Sequence, residues 1–189
     1  MLKPIAVVLI GIATLYACES GHGLLTGESL TVDPCADGKP RTWEPFRMEM
    51  DRLIWDRPDA DVGMLTLQAG FRDPNRTDLV VVEFRDVEAL EARVREAPGL
   101  EVPLPEAGRV SLSMNGTCPD GREPLVSQEG RIRLDRFDLS FGGGIAGTAR
   151  FDLKNPRKGE DSPPAGTGMV LDFSVDLTEK DPRTGDGRR

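Results

Sequence analysis

The chain has 189 residues, with 24 Lys+Arg against 32 Asp+Glu and a formal net charge of −8. That length suits one domain, and the acidic balance argues against a nucleic-acid binder, which needs a basic surface to displace counterions from phosphates. With 38% hydrophobic residues there is enough apolar material for a packed core, so the composition opposes wholesale disorder.

Residues 1–17 read as an export signal. Lys3 gives a short positive start, and Ile5 to Ala17 form an apolar run of thirteen residues. As a helix that run covers roughly 20 Å, short of the roughly 30 Å hydrocarbon layer, so it fits the core of a signal peptide better than a membrane span. Leu15-Tyr16-Ala17-Cys18 then resembles the lipobox of bacterial lipoproteins, in which a small residue precedes an obligatory cysteine.

That resemblance implies a thiol acylated with diacylglycerol, cleavage just before Cys18, and a further acyl chain such as palmitate on the new amino terminus. Two or more chains anchor a protein stably where one does not. Glu19, and not Asp, follows Cys18, which by the same resemblance points to the outer membrane over the inner. The alternative is an ordinary secretory signal cut near Ala17 that leaves a free cysteine. Residues 18–28 hold three glycines and read as a flexible tether, with His22, the chain's one histidine, upon it.

With Cys18 lipidated, Cys35 and Cys118 remain as an even pair in an oxidising setting. A disulfide between them is expected, two separate buried thiols being the alternative. Neither has a His or a second Cys at metal-ligand spacing, so no metal site is expected.

Beyond the tether, strand patterns dominate. Phe46 to Asp51 alternates apolar and polar, and Leu53-Ile54-Trp55 continues with a slip of phase. Met64 to Phe71 carries Leu65, Leu67, Ala69 and Phe71 at period two, and Leu79 to Phe84 is a continuous run of the kind a strand covered on both faces shows. Asp86 is placed to cap a helix ending before Pro98-Gly99, with Val87, Leu90 and Val94 on one face. Arg109 to Met114 alternates and ends at the turn dipeptide Asn115-Gly116.

Ile132 and Leu134 alternate, then Phe137, Leu139 and Phe141 continue out of phase, which predicts a β-bulge near Asp135-Arg136. Gly142 to Gly144 turn the chain into a strand from Ile145 to Leu153. Residues 154–168 read as a polar loop. Met169 to Leu177 alternate without a fault, and residues 179–189 read as a disordered tail. The expected fold is mainly β: an antiparallel β-sandwich or barrel with one short helix, spanning residues 29–178.

Few residues invite chemistry. A histidine on a tether lacks the rigid scaffold a catalytic base needs. Asp56, Asp59 and Asp61 ahead of Gly63 do not complete a calcium loop and read as a hairpin loop. Gly142 to Gly147 lead into a strand and not a helix, so they do not make a phosphate cradle. Trp43 and Trp55 read as core or rim residues.

The expectation is therefore a lipid-anchored envelope protein that is not an enzyme. It acts as a binding or scaffolding module, takes no cofactor, and meets the membrane through Cys18 and an envelope partner of unspecified kind. The alternatives are a carboxylate-dependent hydrolase of envelope glycans, which needs two carboxylates in one cleft, and a carrier of an apolar ligand within a barrel.

Overall fold

The computed structural model describes residues 20–32, 35, 38–70, 76–118, 123–159 and 161–177. Twelve strands and two helices follow in order: β1 (Ser20–Gly27), β2 (Ser29–Val32), β3 (Arg41–Trp43), β4 (Phe46–Met50), β5 (Arg52–Asp56), β6 (Val62–Gln68), β7 (Asp78–Arg85), α1 (Val87–Glu96), β8 (Leu100–Pro103), α2 (Leu104–Ala107), β9 (Gly108–Met114), β10 (Leu125–Asp138), β11 (Gly144–Lys154) and β12 (Gly166–Asp176). The mainly antiparallel β class is what the structure shows, with α1 as the expected short helix and the single turn α2 in addition.

The strands form one antiparallel sheet that is not closed, in the order β3-β2-β12-β11-β10-β9-β7-β6-β5, with β1 between β12 and β4 and β8 beside β10. Its two margins nevertheless share one stretch of chain. β4, which pairs with β1, runs through Asp51 into β5, which pairs with β6. The phase slip after Met50 is this corner, and the Asp51 N–H donates to the Gln68 carbonyl there at 3.2 Å.

The sheet therefore curls over its own inner face. Phe84 of β7 and Phe173 of β12 lie four places apart in the strand order, yet their ring centroids are 6.5 Å apart. Phe137 stands edge-on to Phe84 at 5.0 Å and to Trp55 at 6.1 Å. Such edge-to-face contacts add about 0.5–1.5 kcal/mol each beyond burial. Around them Leu25, Leu65, Leu67, Leu112, Ile132, Leu134 and Ile145 are fully buried in a single apolar cluster.

Alternation accounts for most strands. In β12, Met169, Leu171, Phe173 and Val175 are buried. The expected bulge is present: the β10–β11 register shifts between Leu134 and Arg136. The run in β7 is not covered on both faces. Val80, Val82 and Phe84 are buried while Leu79, Val81 and Glu83 are only half-buried, because a curled single sheet covers one face. Helix α1 buries Val87, Leu90 and Val94 as expected, but Asp86 takes a left-handed backbone (φ 48°) and its side chain makes no cap hydrogen bond.

One expectation is corrected outright. Residues 20–27 are not a tether but β1, paired on one side with β12 and on the other with β4. Strand structure is thus already present at Ser20, ahead of the expected boundary at residue 29. The tail at 179–189 lies outside the described residues.

Candidate functional site

Cys18, the expected lipidation site, lies outside the described residues; two positions later stands Ser20, the first residue of β1. Ser20 lies opposite Asp176, and Asp176 lies opposite Gly144. The start of β1, the end of β12 and the start of β11 therefore share one end of the sheet.

The same end carries the turn between β10 and β11. The Gly143 N–H donates to the Ser140 carbonyl at 2.9 Å, and Gly142 takes φ 80°, a region that favours glycine. Two further bonds fasten this turn to the end of β12: the Gly142 N–H donates to the Leu177 carbonyl (3.0 Å), and the Leu177 N–H donates to the Gly143 carbonyl (3.1 Å). Phe141 projects from the turn 69% exposed, the one large apolar side chain so exposed among the described residues. Beside it Asp138 accepts from the Ser140 hydroxyl (2.6 Å) and N–H (3.0 Å). Those bonds, helped by the positive charge of Arg95 and Arg136, hold its carboxyl below the usual carboxylate range.

Cys35 and Cys118 are joined in a disulfide, with Cα atoms 4.6 Å apart. It ties the loop after β2 to the turn after β9. β2 pairs with the beginning of β12 and β1 with its end, so the loop after β2 lies toward the opposite end of β12 from Ser20.

The outer face of β8, β10 and β11 carries a charged groove of about 430 Å³, lined by Glu101, Arg131, Arg133, Asp135, Thr148 and Arg150. Arg131 and Arg150 are direct cross-strand partners, as are Arg133 and Thr148. Like charges in that position oppose each other. Glu101 pairs with Arg131 and Asp135 with Arg133 (2.9 Å), while Arg150 has no ion-pair partner among the described residues. The groove carries an excess of one positive charge on an otherwise acidic protein. Its sequence signal was the outward half of an alternation, Arg131-Ile132-Arg133-Leu134, whose inward half is all that a fold reading uses.

His22 sits on β1, a rigid strand and not the expected tether, so mobility does not exclude it as a base. It lines a groove of about 420 Å³ with Arg47, Glu49, Asp51 and neighbouring glycines. Glu49 is paired with Arg47 at 2.6 Å, and Asp51 accepts from the Gly70 N–H at 3.0 Å. No Ser, Thr or Cys lines that groove among the described residues, so it sets no hydroxyl or thiol nucleophile beside His22. In the loop between β5 and β6, Asp59 serves the turn itself, accepting from the N–H groups of Asp61 and Val62 at 2.9 Å each. Among the described residues no group of three or more His, Cys, Asp or Glu side chains is placed to hold a metal ion.

No protein-family model, no curated protein and no solved structure matches the chain.

Proposed function

We propose that this chain is an exported, lipid-anchored module of the bacterial envelope that binds a partner and does not catalyse. The observation that carries the reading is the lipobox-like Leu15-Tyr16-Ala17-Cys18 set two residues ahead of a strand built into the sheet between two others. By the same resemblance the residue after Cys18 favours the outer membrane.

The non-catalytic half is supported by how the carboxylates are used. Asp51, Asp59, Asp78, Asp138 and Asp152 each accept backbone N–H groups in loops or strand ends. A glycan hydrolase keeps two of them free across a shared cleft. A carrier needs an apolar cavity, whereas Phe84 and Leu112 belong to one cluster of buried side chains, which weighs against that reading. For the binding face, the Arg131–Arg133–Arg150 groove suits a partner presenting carboxylate or phosphate groups, which a guanidinium grips in bidentate fashion.

Replacing Cys18 with Ser in the native host tests the anchor: the protein is expected to leave the membrane pellet, and continued sedimentation with membranes overturns it. Crosslinking in intact envelopes tests the groove. The Arg131→Glu/Arg150→Glu chain is expected to lose the adduct the parent forms; an unchanged adduct means that the partner binds elsewhere.

A further inference from the structure

We infer that the β10–β11 turn is a membrane-docking tip, with the Phe141 ring seated in the interfacial layer of the bilayer that carries the lipid on Cys18. The inference rests on the anchor reading above and adds to it a second, non-covalent contact that fixes how the domain stands.

Reach sets the geometry. Residue 18 is two positions from Ser20, so its α-carbon lies no more than about 7 Å away however the chain runs. Ser20, Asp176 and Gly144 are successive cross-strand partners, and neighbouring strands are spaced roughly 4.8 Å apart. The start of β1 is thus about 10 Å across the sheet from the start of β11. Because β1 starts at Ser20, Glu19 alone stands between Cys18 and a strand of the sheet. An acylated Cys18 then brings this end of the sheet to the lipid surface, and Phe141 with it.

The second observation is independent of the anchor. An exposed Phe on a loop that could fold back would cover itself. Here the Gly143–Ser140 bond closes the turn, the Gly142–Leu177 and Leu177–Gly143 bonds fix it to the end of β12, and the ring is left 69% exposed. A rigidly presented aromatic ring is stabilised when it enters the apolar side of the headgroup layer and loses little conformational freedom in doing so. The disulfide end then points away from the bilayer.

The test uses the acylated full chain from host membranes, reconstituted in phosphatidylethanolamine–phosphatidylglycerol vesicles, as parent and as Phe141→Trp. The parent, with Trp43 and Trp55, supplies the background emission. The added Trp is expected to shift to the blue in vesicles and to lose its emission when the acyl chains are brominated. In the unsubstituted chain, amide exchange of residues 139–143 is expected to slow on reconstitution. If the chain is acylated and sediments with vesicles but the added Trp keeps its aqueous emission and exchange is unchanged, the docking tip is overturned and the anchor stands. If mass spectrometry finds no acyl group on Cys18, both fall.

Discussion

Gly21 of β1 lies so close to β12 that a methyl group at its α-carbon would stand 2.2 Å from the Ser174 carbonyl oxygen. That oxygen belongs to the backbone and cannot swing aside. Gly21→Ala is therefore expected to destabilise the domain by about 1–3 kcal/mol, the range for overpacking a filled site. A urea titration measures it. A residue on a free tether would change stability by no more than about 0.5 kcal/mol, so a midpoint unmoved from the parent would count against the seating of β1.

The Cys35–Cys118 bond spans a sequence separation of 83. In the chain-entropy model a loop of that size raises the free energy of the unfolded state by about 4.5 kcal/mol. Cys35→Ser/Cys118→Ser is expected to lower stability by up to that amount in a denaturant titration. Adding reductant to the parent should approach the same value under unfolding conditions, because both sulfurs are buried in the folded chain.

Asp78 holds the turn that carries Cys118. Its carboxylate accepts from the N–H groups of Gly116 (2.8 Å) and Thr117 (2.9 Å) and from the Thr117 hydroxyl. Asp78→Ala leaves those donors without this partner, at an expected loss of about 1–3 kcal/mol. Asp78→Asn keeps one acceptor oxygen and should recover part of it. Equal stability of the Ala and Asn variants in thermal melts would contradict this account.

Asp138 makes a prediction about acid. Its folded pKa lies below the ordinary value because the Ser140 hydroxyl and N–H both donate to it. A depressed folded pKa adds stability that is present above the unfolded value of about 3.9 and fades as pH falls through the lower folded value. The side chain is exposed, so solvent screens the effect and it should be small. An NMR titration should give a midpoint below about 3.9 for Asp138 and a higher one in Ser140→Ala; midpoints that coincide would remove the hydroxyl as the cause.

What could be read from the sequence depended on whether side chains carried the pattern. Met169 to Val175, Val87 to Val94 and the bulge at Leu134/Arg136 were legible because apolar residues mark the buried face at a regular period. β1 was not, because SGHGLLTG shows only two apolar residues. Its glycines look like flexibility but serve proximity. A methyl at Gly23 would stand 2.4 Å from Leu67 Cδ2, and one at Gly27 would stand 2.4 Å from Met169 Sδ. Composition records that a residue is small and not what stands beside it. The arginine groove was hidden for a related reason: it needs the register Arg131 opposite Arg150, and pairing between segments of unlike sequence leaves no mark in either.

The placement of β1 between β4 and β12 bears on how the molecule is made. Its partner on one side, within residues 166–176, follows it in the chain by 144 to 156 residues, from Thr26↔Val170 to Ser20↔Asp176. β1 must therefore wait, unpaired on that side, until β12 has been made. Contacts so distant in sequence slow folding. Any chain stopped short of Gly166 would leave β1 and β11 with bare edges, a product suited to aggregation and to removal by proteases.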